Sequence, residues 1–184
     1  YIKQFINSSS SVNVLELFTR YNNATKEITE SWGCFEAAKK YIPNLGNRLV
    51  IVVGDGASPR TAAIFAYYSK AKTISIDPAM NLNHWAEHVE KQTKIGFPPQ
   101  RIKIIKDKIE NISIDCENSD ILVIWPHSHA PMNKTNFSRY KQRADIAMPC
   151  CCSIHPSFLT RPHIVYADKN VISPKNQIHV WTDD

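Results

Sequence analysis

The sequence predicts an α/β fold: a mostly parallel sheet flanked by helices, with antiparallel strands at its C-terminal edge and a helical N-terminal extension. Three observations carry this. Short Ile/Val-rich runs recur that are continuously apolar instead of alternating, the pattern of strands covered on both faces. Amphipathic segments of helical period separate the early runs. Beyond Cys152 the last runs lie close together, with no helical pattern before His163, which suits antiparallel pairing.

Taken in order, Val14, Leu15, Phe18 and Tyr21 repeat at helical spacing, and after a polar break at Asn22 and Asn23 a second stripe runs through Ile28, Trp32, Phe35, Ala38 and Ile42. Pro43 and Gly46 end this helical region, read over 12–42. Strands are expected at 49–53, 73–76, 102–105, 121–125, 146–148, 164–166 and 178–181, the first three with their intervening helices forming a βαβαβ series.

The chain has 184 residues, 43% of them hydrophobic, which suits one domain with its own core, a helical extension over 1–45 and an α/β core over 46–184. No internal repeat or dividing linker interrupts it. No apolar run approaches the roughly 20 residues of a membrane helix, and the first residues do not form a signal peptide, so a cytoplasmic chain without a membrane partner is expected. It starts at Tyr1 without an initiator methionine, which suggests excision from something longer, an engineered chain or a polyprotein. The net charge of +5 leans toward a polyanionic partner. An odd five cysteines, with Cys150, Cys151 and Cys152 contiguous, favour a reducing compartment over a disulfide framework.

The most informative stretch runs from Leu49 through Gly54-Asp55-Gly56-Ala57-Ser58-Pro59-Arg60 to Thr61: a buried strand, glycines, then a helix. Glycine there permits positive φ and close approach of a ligand to the main chain. Ser58 is the expected N-cap and Pro59 the first helical residue, with Ala62, Ala63 and Ala66 letting the helix lie close on the sheet. A dinucleotide fingerprint would place glycine where Pro59 stands, and Arg60-Thr61 does not supply the lysine of a Walker loop. A phosphate-bearing ligand is disfavoured, and an adenosine without phosphates remains. Asp77, about 20 residues on at the end of the next strand, suits a ribose anchor.

With these residues and a fourth strand running into Trp125-Pro126-His127, the chain resembles S-adenosylmethionine-dependent methyltransferases of the Rossmann-like class over about residues 48–184. The resemblance implies S-adenosyl-L-methionine as cofactor, contacted by Gly54, Asp55, Gly56, Ser58, Asp77, Pro78, Trp125 and Pro126. In that family the first strand usually carries an acid two positions before the first glycine. Here that position is Val52, and Asp55 is the candidate substitute for holding the methionine end.

Trp125 is a candidate to stack on a purine and His127 to face substrate, against the plainer reading of a core tryptophan and solvated histidines. Pro149-Cys150-Cys151-Cys152 is similar to a Pro-Cys-Cys stretch after the fifth strand of some RNA methyltransferases. Zinc held by Cys150, Cys152, His155, His127 and His129 is disfavoured, because a contiguous cysteine triplet lacks the spacing of structural zinc ligands, and no metal is expected. Ribose 2′-O transfer in the known family uses a Lys-Asp-Lys-Glu set with its Asp at the end of the fourth strand, where this chain has Trp125-Pro126, while Asp120 sits at the wrong end.

Guanine N7 already exposes a lone pair, so its methylation needs alignment and a favourable field but no acid or base residue. With the basic charge, short length and missing start methionine, the chain resembles the compact guanine-N7 cap methyltransferase domain of nidovirus polyproteins, the ronivirus type in particular. That implies the 5′ end of capped RNA as partner, with other parts of the parent polyprotein, in the host cytoplasm. Trp32, Trp85, Trp125 and His127 are candidates to stack on the cap, Trp32 and Trp85 reading more simply as core. Arg60, His127, His129, Lys134 and Arg139 are the expected substrate contacts, with Lys106 and Arg143 as further triphosphate candidates. The alternative is a catalytically inert Rossmann-like module that binds RNA or protein, suggested by Val52 and the Trp-Pro-His sequence.

Overall fold

A computed structural model of the chain describes residues 1–19, 22–96, 99–149 and 160–182. Three helices open it: α1 (Ile2–Ile6), α2 (Ser11–Thr19) and α3 (Ala24–Tyr41). The order then runs β1 (Leu49–Val53), α4 (Arg60–Ser69), β2 (Lys72–Ile76), α5 (Leu82–Lys94), β3 (Ile102–Ile105), β4 (Ser113–Pro126), β5 (Asn136–Met148), β6 (Ile164–Ala167) and β7 (Gln177–Trp181). Short 3₁₀ turns lie at Leu45–Asn47, Ile109–Asn111 and Met132–Lys134.

All seven strands form a single sheet ordered β3-β2-β1-β4-β5-β7-β6. The strands from β3 to β5 are parallel, and β7 runs antiparallel to both β5 and β6. This is the mostly parallel, Rossmann-like sheet with an antiparallel C-terminal edge that the sequence predicts. From β1 the chain winds outward through β2 and β3 and returns on the other side of β1 as β4, so the strand order reverses between β1 and β4. In open α/β sheets ligands bind beyond the carboxyl ends of the strands at such a point.

Side chains alternate across the sheet. Val50, Val52, Leu122, Ile124, Ile146 and Val180 point to one face, where they form a core with buried residues of α1 to α4. Ile51, Val53, Ile76, Val123 and Trp125 point to the other, where among the described residues they meet Ile109 and Met132 of the 3₁₀ turns and Ile114 of β4. The helical layer of the described residues is thus one-sided. An edge-to-face aromatic group, with Trp32 touching Phe5, Phe35 and Tyr68 and Phe35 touching Phe65, fastens the N-terminal helices to α4. Such pairs add about 0.5–1.5 kcal/mol each beyond area burial.

Asn23 caps α3, its side chain accepting from the Lys26 amide at 3.3 Å, so the polar break at Asn22 and Asn23 is a true helix boundary. The strands β4 and β5 are longer than their apolar runs. Their N-terminal arms, Ser-Ile-Asp-Cys-Glu-Asn and Asn-Phe-Ser-Arg-Tyr-Lys, are largely exposed and pair with each other across register shifts, with left-handed backbone at Glu117, Asn118 and Arg139. No helix of the described residues is long and apolar enough to cross a membrane.

Candidate functional site

The strand β1 runs into Gly54 and Gly56, whose φ angles of +83° and +80° lie in the left-handed region. A Cβ at Gly54 would fall 2.7 Å from Ser128 Oγ, and one at Gly56 would fall 2.8 Å from Arg60 Nη2. The Gly54 amide donates to the carbonyl of Ile76 at 2.9 Å, tying the loop to the end of β2. Asp77 follows: its Oδ2 accepts from the Gly56 amide at 2.8 Å and its Oδ1 from the Ala79 amide at 2.7 Å. The glycine loop and the acid that the sequence pairs at a distance are therefore directly bonded. A carboxylate has about four acceptor positions, so each Asp77 oxygen keeps capacity for a further donor.

Asp55 takes a different part from the one its position suggests. Its carboxylate is 1% exposed and turned into the protein, where it accepts from the amides of Thr61 (2.8 Å) and Ala62 (3.1 Å) and from Ser75 Oγ (2.9 Å). It is the working cap of α4. Burial pushes its carboxyl above the ordinary range, opposed by the Arg60 charge and these donors. The expected cap, Ser58, instead donates to the Leu17 carbonyl at 3.0 Å, and α4 begins only at Arg60, after Pro59. Ser58 is buried and joins α2 to the loop, and the Asp55 carboxylate is engaged by the α4 amides and Ser75. The consequence is chemical: the α4 N-terminus, where a pyrophosphate would sit, is filled by the chain's own carboxylate.

Trp125 also departs from expectation. It is 2% exposed, its Nε1 donates to Asp145 Oδ1 at 2.9 Å, and it belongs to the core, so no ring face is offered to a purine. Trp32 is core, and Trp85 packs partly buried against it, stacked on His88.

Two clefts meet at the switch point. The larger, about 330 Å³, is lined by Val53, Gly54, Asp77 and Pro78 together with Asp107 to Glu110 and His127 to Pro131. The smaller, about 190 Å³, is lined by Lys26, Glu27, Glu30 and Ser31 of α3 together with Gly54, Asp55, Arg60, Thr61, Pro126 and His127. Gly54 and His127 border both.

His127 sits there with left-handed backbone, φ 52°, its amide donating to the Met148 carbonyl at 2.9 Å. Its Nε2 lies 2.7 Å from Glu30 Oε1, and Lys26 Nζ lies 3.1 Å from the same oxygen. The Glu30 side chain is only 3% exposed. Burial drives its carboxyl upward, but the contacts with His127, Lys26 and Ser173 outweigh this and hold it below the ordinary range. Arg60 Nη1 pairs with Glu27 Oε2 at 2.8 Å.

Of the other expected contacts, His129 is exposed at the larger cleft. Lys106 and Lys134 are exposed, each within a few residues of that cleft's lining. Arg139 is engaged by Asp115, and Arg143 forks onto Asp145 at 2.8 and 3.0 Å, so both are tied to the sheet's own acids. Cys150, Cys151, Cys152 and His155 lie outside the described residues; among the described residues no three His, Cys, Asp or Glu side chains are grouped to hold a metal ion. Sequence reasoning missed Glu30, Lys26 and Asp107, which carry no motif, and Ser128, whose only signal is its place after the fourth strand.

No protein-family model and no curated protein matches the chain. Among solved structures it is similar to a mutant of MtNAS in complex with S-adenosylmethionine, with 13% identity over 97% of this chain and 68% of that one and a TM-score of 0.49. A methyltransferase from Aquifex aeolicus described as SAM-dependent matches at 17% identity over 80% of this chain and 71% of that one, TM-score 0.38. A structure described as an S-adenosylmethionine-dependent methyltransferase from Listeria monocytogenes matches at 18% identity over 63% of this chain, TM-score 0.39. The chain spans 54% of the Listeria protein's length. At these values the likeness is one of strand arrangement.

Proposed function

We propose that the joined clefts hold S-adenosyl-L-methionine and that the chain transfers its methyl group to RNA, at guanine N7 of the 5′ cap. The observation that carries the cofactor assignment is the combination at the switch point: an open cleft beside Gly54 and Asp77, and an α4 N-terminus closed by Asp55. A ligand with a ribose but no phosphate fits that pair of facts, because Asp77 retains acceptor capacity for ribose hydroxyls while the anion position is taken. The cleft wall from Asp107 to Ile109 would meet the base, with the Asp107 carboxylate available to an exocyclic amine.

When bound, the cofactor supplies an electrophilic methyl on a sulfonium. The chain's own part is alignment: Gly54 and His127 border both clefts and would flank the reacting centre, with His127 held beside Glu30 at 2.7 Å on the path by which an acceptor approaches. Guanine N7 suits this because no proton must leave the attacking atom. The net charge of +5 and exposed Lys106, Lys108 and Lys134 near the larger cleft support a polyanionic acceptor.

Calorimetry with S-adenosylhomocysteine tests the first part: the wild type is expected to bind and Asp77→Ala to lose most of that affinity. Absence of binding at high protein concentration would favour an inert Rossmann-like module. Transfer to a GpppA-capped oligonucleotide tests the second. Label on the cap guanine without added metal is expected, and label on ribose, or loss of activity with chelator, would refute it. Because no base is required, His127→Ala is expected to lower the rate by less than the roughly 10²- to 10⁴-fold of a lost general base.

A further inference from the structure

The smaller cleft raises a question of charge. The strand β1 carries Val52 where an acid would face the amino-acid end of the cofactor, and Asp55 is spent on the α4 cap. The loop therefore brings no free carboxylate to this space. Two come from α3, which precedes the first strand: Glu27, paired with Arg60, and Glu30, whose side chain is 3% exposed.

The surroundings of Glu30 are those of a receptor for a zwitterion. Glu30 Oε1 stands 2.7 Å from His127 Nε2 and 3.1 Å from Lys26 Nζ, yet among the described residues it has no hydrogen-bond partner of good geometry. A buried acceptor in that condition gains when a ligand brings a well-directed donor. Beside it, Lys26 and Arg60 line the same cleft, Arg60 paired with Glu27 at 2.8 Å and Lys26 3.8 Å from it, so a ligand carboxylate would share these cations with Glu27. At about 190 Å³ the space suits an amino-acid side arm and not a second nucleoside.

We propose that Glu30 receives the α-ammonium of the cofactor's amino-acid end, with Lys26 and Arg60 toward its carboxylate, so that the N-terminal helix α3 supplies the anchor that β1 lacks. This rests on the adenosine reading of the larger cleft. An ammonium presents three donors and a full charge, and a carboxylate with several acceptor positions can take it without releasing His127. His127 and Lys26 then hold Glu30 ionised and aimed.

The test uses three ligands on the full chain, by calorimetry: S-adenosylhomocysteine, its analogue lacking only the amino group, and 5′-methylthioadenosine, which lacks the whole amino-acid arm. Wild type is expected to bind the deaminated analogue about 10- to 100-fold more weakly than S-adenosylhomocysteine, the range of a lost charge-assisted hydrogen bond. Glu30→Gln is expected to weaken S-adenosylhomocysteine by a similar factor, to bind it and the deaminated analogue nearly alike, and to leave 5′-methylthioadenosine unchanged. Binding of that last ligand shows the variant folded and its adenosine cleft whole. Wild type that makes no distinction between the first two ligands overturns the proposal by ligand chemistry alone, even if Glu30→Gln fails to fold. Equal weakening of all three by Glu30→Gln overturns it too, as a general structural effect. Wild type binding none of the three overturns the adenosine reading itself and this proposal with it.

Discussion

Removing the Asp55 carboxylate probes the arrangement on which the ligand assignment depends. The side chain accepts three hydrogen bonds inside the protein, from Thr61 N, Ala62 N and Ser75 Oγ. In Asp55→Ala these donors lose their acceptor where water is scarce, since residue 55 is 1% exposed. A buried unsatisfied donor costs about 1–3 kcal/mol, and loss of a helix cap about 0.5–2 kcal/mol, two descriptions of the same amides that must not be added. The Ser75 hydroxyl can turn to another acceptor and recover part of its share, and the variant no longer pays to bury a charge. The balance is a loss of about 2–5 kcal/mol, a large fraction of the roughly 5–15 kcal/mol that holds a domain together.

Asp55→Asn keeps one acceptor oxygen and is expected to lose about half as much. The assay is urea unfolding followed by far-ultraviolet dichroism, comparing midpoints at unchanged slope. If Asp55→Ala shifts stability by less than about 0.5 kcal/mol, the carboxylate is not the cap of α4, and the reason for excluding a phosphate ligand goes with it.

Other substitutions separate the structural parts of the site from the binding parts. Gly54→Ala forces a residue with a side chain into φ +83° and drives its Cβ to 2.7 Å from Ser128 Oγ, so it is expected to cost about 1–3 kcal/mol and to weaken S-adenosylhomocysteine; adding Ser128→Gly should return part of the stability and only the steric part. Trp125→Phe removes the donor to Asp145, which keeps its fork from Arg143, so a loss of about 1–2 kcal/mol with unchanged ligand affinity is expected, whereas a stacking role would show as lost affinity. For Glu30, whose carboxyl is held below its ordinary value of 4.5 in the fold, the stabilising contribution is complete above the unfolded value and disappears as pH falls through the folded one. Glu30→Gln should therefore flatten the stability profile below about pH 4.5, and an unchanged acid limb would contradict the His127 and Lys26 pairing.

The parts of this fold that can be read from sequence are those where one physical demand acts alone. Strands at the sheet centre are covered on both faces, so Leu49–Val53 is apolar throughout and stands out. The N-terminal arms of β4 and β5 meet that demand only in part: Ile114 and Cys116 are buried, but most of their other side chains meet water while the main chains pair with each other, and a run such as Asp-Cys-Glu-Asn-Ser-Asp looks like a loop. Gly54, Gly56 and Asp77 are legible because backbone conformation and strand spacing fix their residue types. Trp125 and Asp55 are not: the indole is committed to Asp145 on the neighbouring strand, and the Asp55 carboxylate turns inward to the Thr61 and Ala62 amides and Ser75, which sequence spacing alone does not distinguish from facing a ligand. Glu30 is hidden more deeply. It lies on an amphipathic helix beside Ile28 and Trp32, where a charged residue reads as facing solvent, and only the packed position of α3 against β4, β5 and β7 buries it.

The N-terminal helices have a physical reason to be where they are. A glycine loop has one acidic side chain in reach, and it can cap the following helix or face the ligand, not both. Here it caps: Asp55 points inward, and Val52 of β1 faces the core. On the proposed reading, charge for the cleft arrives on another element, and that element must be rigid, because a carboxylate held loosely would be solvated instead of aimed. Helix α3 meets the condition. Trp32 and Phe35 lock it against α4, the Ile172 amide donates to Thr29 Oγ1 at 3.0 Å, and Ser31 and Thr61 share a hydrogen bond of 2.9 Å. Those contacts surround Glu30 on both sides along the helix, so the packing that stabilises the extension also fixes the position of its one buried carboxylate.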